Sequence, residues 1–189
     1  ASAAYAVAVG GSTNDARQEN STVVGGTSNT AIGTTSVVVG GAWNSAMSLE
    51  GTVVGGTSNA AVGYKATVMG GEWNTANSLN GGIVGGQSNQ LTGYYSSIVG
   101  GHANSAGGDS DTTPYSTAVG GARNQAGANS ATALGGTENH AAVESATVVG
   151  GYWNTAAARY AAAVGGYGNT ATGSSSTVVG GYENNATAY

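Results

Sequence analysis

The chain is expected to fold as an all-β parallel solenoid of about twelve coils, and three observations carry that expectation. A Gly-Gly pair recurs twelve times in the 189 residues, its first Gly falling at Gly10, Gly25, Gly40, Gly55, Gly70, Gly85, Gly100, Gly120, Gly135, Gly150, Gly165 and Gly180. Every interval is 15 residues except the 20 between Gly100 and Gly120. Two apolar residues precede each pair, and an Asn follows at a fixed distance. A period this strict marks stacked units that cannot bury a core alone.

Counting from the first Gly as position 0, the apolar pair occupies −2 and −1 and the second Gly +1. A 15-residue unit is too short for a helical hairpin, and Gly-Gly preceded by β-branched Val opposes helix. The spacing predicts one strand over −4 to −1, a Gly-Gly turn, a second short strand over +4 to +7, and a return turn. Gly33, Gly63, Gly93, Gly108 and Gly173 stand at +8, where a turn with positive φ would suit them. Twelve coils at the strand spacing would span roughly 55–60 Å.

Position +4 is Asn in all twelve copies: Asn14, Asn29, Asn44, Asn59, Asn74, Asn89, Asn104, Asn124, Asn139, Asn154, Asn169 and Asn184. A turn-forming Asn satisfies local backbone groups, and a stacked column can bond amide to amide, so this is expected to be a structural ladder. Position +6 is Ala in eleven copies and Leu91 in the other, which implies a narrow interior. Adjacent strand residues face opposite ways, so one of the two apolar columns must point outward. The reading favours −1 inward and −2 outward. The −2 residues Val23, Val38, Val53, Val68, Ile83, Ile98, Val148 and Val178, with Ala in other copies, then serve as a self-association interface or, failing that, the roll core. An exposed apolar column of this length predicts side-by-side self-association.

The five extra residues before Gly120 fall within 107–115, which contains the only Pro, and are expected to form a loop inserted in a single domain spanning 1–189. The first half also echoes itself at 30 residues, Trp43 to Leu49 matching Trp73 to Leu79.

Composition excludes several functions. A net charge of −5 with only four scattered basic residues gives no stripe for a phosphate backbone, so no nucleic-acid partner is expected. No apolar run is long enough for a spanning helix, so this segment is not expected to insert in a membrane. The absence of Cys excludes disulfides and thiolate metal sites. Only two His residues occur, His102 and His140, and no catalytic triad or close carboxylate pair can be drawn. Asp109 and Asp111 are best read as part of a solvated loop. No enzyme, metal or cofactor is expected.

Recognition is expected where the repeat varies. Trp43, Trp73 and Trp153 share position +3, and Tyr152, Tyr167 and Tyr182 occupy +2 in three successive coils. Aromatics on turns can contact sugars or protein partners, although packing against neighbouring coils would also employ them.

Ser176-Thr177-Val178-Val179-Gly180, with Asn184 and Ala186 behind it, resembles the Ser-Val-Ala-Ile-Gly…Ser…Ala pattern of the YadA-like heads of trimeric autotransporter adhesins. The resemblance covers essentially the whole chain, although the second Gly and the Asn differ from the usual pattern. It implies a left-handed parallel β-roll assembled as a homotrimer, displayed on a bacterial surface and anchored in the outer membrane by a C-terminal region outside this segment. It implies a non-enzymatic adhesin head whose partners are copies of itself and a host matrix protein or cell-surface receptor. A spacer that projects another binding domain is the alternative. An ice-binding solenoid is a third reading, suggested by Thr at −3 in seven copies.

Overall fold

The computed structural model describes residues 1–108 and 114–187, and its regular structure is β-strand without helix. Twelve three-residue strands at −3 to −1 run from Val7–Val9 to Thr177–Val179, and twelve two-residue strands at +5 and +6 run from Asp15–Ala16 to Asn185–Ala186. The strands are thus shorter than expected. A third parallel ladder, of single-residue bridges at +2, joins Ser12 to Thr27, Thr27 to Ala42 and onward. The chain is an all-β parallel solenoid of twelve coils, divided into compact units at 1–91 and 92–189.

Within each unit the strand residues pair with their equivalents one coil away. Val53 lies between Val38 and Val68, and Ala141 between Ala126 and Ala156. Across the inserted residues Ile98 pairs with Ala118 and Ala106 with Ala126, so the stack resumes in register. Of the expected loop at 107–115, residues 109–113 lie outside the described residues, and with them Asp109 and Asp111.

The interior is built from four columns, −4, −2, +4 and +6. Val23, Val38, Val53, Val68, Ile83, Ile98 and Val148 are fully buried and Val178 nearly so, facing the buried Ala or Leu91 at +6. This reverses the expected orientation: −2 is the roll core, while Val24, Val39, Val54, Met69, Val84 and Val99 at −1 stand exposed. The reason is width. The −2 column takes Ala in several coils and its inward partner at −4 is Ser, Ala or Gly, so this phase of the strand fits an interior lined by Ala. Leu91 fits because Gly81 stands at −4 in its own coil, where an added Cβ would lie 2.7 Å from the Leu91 side chain.

The Asn column works differently from an amide-to-amide stack. Asn59 donates from Nδ2 to the Gly55 carbonyl (3.3 Å) and to the Gly71 carbonyl of the following coil (2.9 Å). Its Oδ1 accepts the backbone N–H of Asn74 at 3.0 Å. The same three bonds recur at Asn44, Asn124 and Asn154. Direct amide-to-amide bonds occur at Asn89 to Asn74 and Asn184 to Asn169. Each Asn therefore ties two coils through their backbones, which suits buried carbonyls and amides that have no water to turn to.

The paired glycines have separate reasons. Both adopt positive φ, but a Cβ at Gly55 would meet nothing within 4 Å, whereas one at Gly56 would lie 2.2 Å from the Gly71 carbonyl. At +8 the requirement is also closeness and not positive φ: a Cβ at Gly33 would fall 1.8 Å from the Ser48 carbonyl. Positions +3 and +10 are left-handed in nearly every coil although they rarely hold Gly, Trp43 at φ 58° and Thr35 at φ 58° among them. That costs on the order of 1–2 kcal/mol per residue, which the stacking must offset.

Candidate functional site

The +2 bridge ladder and the left-handed +3 residue together form a turn on which side chains 15 residues apart become neighbours. In unit two this brings Tyr152, Tyr167 and Tyr182 into one file. Tyr152 and Tyr167 have ring centroids 5.4 Å apart at an interplanar angle of 20°, and Tyr167 and Tyr182 are 5.1 Å apart at 7°. Trp153 flanks the file, 5.1 Å from Tyr152 and 5.9 Å from Tyr167, tilted 36° and 55° to them. Trp153 and Tyr182 are 51% and 67% exposed, so the ladder lies on the surface.

The ladder continues at +3 into two charged residues. The Trp153 indole N–H donates to the Glu138 carboxylate, whose other oxygen takes Arg123 Nη1 at 2.8 Å. The indole bond first, and the Arg123 guanidinium second, hold the Glu138 carboxyl below the usual carboxylate range. Tyr152 is shifted up, by its partial burial and then by the charge of Glu138. Tyr182 is shifted up by Glu183 beside it. Arg123, Glu138, Trp153 and the three tyrosines thus form a continuous surface with an ordered polar end.

Unit one places its aromatics apart. Trp43 and Trp73 are 55% and 59% exposed, but two coils separate them, Ser58 stands between, and neither has a ring partner among the described residues. Trp73 donates to its neighbour Glu72 at 3.0 Å. The six aromatic residues expected to form one surface therefore divide into a four-residue cluster in unit two and two isolated indoles in unit one. The other predicted sets, the −2 column and the Asn ladder, are interior or backbone-bound and present nothing to a ligand.

Sequence reasoning missed Arg123 and Glu138, although both stand at +3 in the two coils before Trp153, and aligning the repeat would have found them. The return turn was expected, but the side-chain columns it carries at +9 and +10 were also missed. There Tyr95 stacks on Tyr115 at 5.6 Å, Lys65 lies 5.2 Å from the Tyr64 ring and 3.2 Å from Glu50, and Arg159 lies 5.1 Å from the Tyr160 ring and 2.6 Å from Glu144. His140 projects from its strand at +5 beside Gly127 in the preceding coil, and burial lowers its pKa. Among the described residues no three His, Asp or Glu side chains gather as a metal site would require.

No protein-family model matches the chain, and no curated protein matches it in sequence.

Proposed function

We propose that this chain is the head segment of a YadA-like trimeric autotransporter adhesin, a left-handed β-roll assembled as a homotrimer on a bacterial surface. The supporting observation is the −1 column. Val24, Val39, Val54, Met69 and Val84 are each 39–47% exposed along one sheet face, in company with Thr at −3. Covering the exposed part of such a side chain contributes about 1 kcal/mol, so the column contributes on the order of 10 kcal/mol per chain. Association costs about 4–15 kcal/mol per event, which a column this long can exceed and a scattering of single Val residues cannot. A further copy of the same chain is the fitting occupant, because its column repeats with the same coil spacing and meets this one in register.

With the core, the ladder and the self-association face assigned to assembly, ligand contact falls to the variable turns, foremost the Tyr152–Tyr167–Tyr182 file. Equivalent sites on each copy give avidity without a deep pocket. The function is attachment to a host or neighbouring cell without catalysis.

Sedimentation of the whole chain, with Val39→Asp and Val84→Asp introduced together, tests this assembly. A trimer for the parent and a folded monomer for the variant are expected; a folded monomeric parent overturns it. Cell- and matrix-binding assays on the trimer then separate an adhesin from a spacer, which would bind neither. Thermal hysteresis in a monomeric parent would favour the ice-binding reading, since −3 and −1 share one outer face.

A further inference from the structure

Resting on the trimer reading, we propose that in unit one the gap at Ser58, between the exposed indoles of Trp43 and Trp73, is filled by Tyr64 of the neighbouring copy. The +3 turn of one copy and the return turn of the next then mesh along the outer seam of the assembly. Three observations converge on this contact.

The first is a two-coil rhythm shared by both turns. Position +3 runs Trp43, Ser58, Trp73, Ser88, while position +9 runs Leu49, Tyr64, Leu79 over the first three of those coils. Bulk at +3 accompanies Leu at +9, and its absence accompanies Tyr. The core and the Asn ladder repeat every coil, so neither accounts for a rhythm of two coils in surface side chains. The second is what the indoles cost. Trp43 and Trp73 hold φ at 58° and 59°, where a bulky residue is rarely found and where Ser58 and Ser88 serve at 56° and 57°. Both indoles stay more than half exposed and without a ring partner among the described residues. A strained position given twice to Trp is occupied for what its side chain touches, and Trp is the residue most often found anchoring an interface.

The third is the geometry of a threefold assembly. With the −1 column turned to the axis, the Gly-Gly and +3 turns stand along one side of each copy and the return turn along the other. Rotation about the axis sets the first side of one copy against the second side of the next, and a closed ring adds no rise. The coil of Gly55 therefore meets the same coil of its neighbour, and Tyr64 arrives level with the gap at Ser58. Two coil spacings separate Trp43 from Trp73, about 9.6 Å, so a ring midway lies about 4.8 Å from each. That is inside the range of roughly 4.5–7 Å for aromatic pairs. Rings at one-coil spacing already stack in unit two, at 5.4 and 5.1 Å. Tyr64 is 40% exposed, and Lys65, itself 3.2 Å from Glu50, lies 5.2 Å from its ring, so an ordered side chain is presented and little freedom is lost on association.

Disulfide trapping tests this on the whole chain, which has no Cys of its own. Chains carrying Ser58→Cys and chains carrying Tyr64→Cys, assembled together under mild oxidation, should give disulfide-linked pairs. Either variant alone should not, because the threefold axis keeps equivalent residues of different copies apart. In sedimentation equilibrium Tyr64→Ala should raise the dissociation constant of the trimer at least tenfold. Tyr64→Ser combined with Ser58→Tyr, which supplies the ring from the gap's own chain, should recover most of that loss. A trimer whose mixed variants cross-link no more than the single ones, or which Tyr64→Ala leaves unchanged, would overturn the seam and leave the assembly standing. Cell attachment lost in Trp43→Ala with assembly unchanged would give the gap to a side chain of the host partner and also overturn it. A folded monomeric parent would remove both the seam and the trimer.

Discussion

Replacing Asn59 by Ala removes one side chain from the middle of unit one and breaks three hydrogen bonds, one within its own coil and two to the backbone of the following coil. The Nδ2 bonds to the Gly55 and Gly71 carbonyls and the Oδ1 bond from the Asn74 N–H all disappear. The three losses are unequal. The Gly71 carbonyl keeps the Thr57 N–H at 3.0 Å, and the Gly55 carbonyl lies at a half-buried turn. The Asn74 N–H is buried with no substitute, which alone costs about 1–3 kcal/mol, and the other two bonds add roughly 0.5–1.5 kcal/mol each. The total, about 2–6 kcal/mol, is a large part of the 5–15 kcal/mol typical of a domain. Urea unfolding followed by circular dichroism, at one fixed protein concentration because assembly contributes to stability, measures the total. Hydrogen exchange locates it, since the Asn74 amide should lose protection before amides several coils away. Asn59→Asp provides a second arm. Its carboxylate would face two carbonyl oxygens, so its folded pKa rises above the unfolded value near 4. The native state then binds more protons, and stability falls as pH rises from the unfolded pKa through the folded one. Asn59→Asp should therefore be the weaker variant at pH 7 and recover in acid relative to the parent, while Asn59→Ala follows the parent's own pH course. A loss below about 1 kcal/mol for Asn59→Ala, or an unchanged Asn74 amide, would refute the bonding scheme.

The two glycines of one pair should respond differently: Gly55→Ala meets only the positive-φ penalty of about 1–2 kcal/mol, while Gly56→Ala also drives a methyl to 2.2 Å from the Gly71 carbonyl and should unfold the unit in thermal melts. Val38→Ala opens the core and should cost roughly 1.5–3 kcal/mol, whereas Val39→Ala should leave monomer stability nearly unchanged and shift the sedimentation equilibrium towards smaller species. Because its partners hold Glu138 low, the carboxylate–indole contact should persist through the ordinary carboxylate range and be lost only as pH falls through the lowered folded pKa; Trp153 emission, isolated by Trp43→Phe and Trp73→Phe, should follow that course. His140 has the opposite charge type but the same sign: burial lowers its folded pKa, so the unfolded chain takes up a proton first as pH falls below about 6.5, and stability should drop there in the parent and less in His140→Gln.

The architecture was legible because a fixed period is a global constraint that no local propensity can obscure. Gly at 0 and +1, Asn at +4 and Ala at +6 recur because each coil meets the same neighbours. The facing of the Val pair was not legible from apolarity, since both members are apolar; it is decided by column size, and Ala118 or Ala133 at −2 against Val119 or Leu134 at −1 carried that information unread. Gly33 was assigned a conformational role when its role is to let the Ser48 carbonyl approach, a contact between coils that no one coil reveals. The aromatic site was half legible. Tyr152, Tyr167 and Tyr182 announced themselves by identity, but Arg123 and Glu138 share only a position with Trp153, and different residue types at one position do not look like a cluster until the coils are stacked.

That last point governs how a site can arise in such a chain. A solenoid turns sequence neighbours 15 apart into spatial neighbours, so the unit of chemistry is the column and not the motif. Glu50 with Lys65, Arg123 with Glu138 and Glu144 with Arg159 are all such pairs, each between adjacent coils. Positions that must be identical in every coil to build the stack cannot distinguish one ligand from another, because they present the same group everywhere and bury it. Specificity requires a column free to vary, and then agreement among consecutive coils within it. Trp43 and Trp73 fail that second condition, since Ser58 breaks their column and leaves each indole alone. Tyr152, Tyr167 and Tyr182 meet it, and three ordinary substitutions at +2 become one ordered surface because the backbone had already fixed the distance between them.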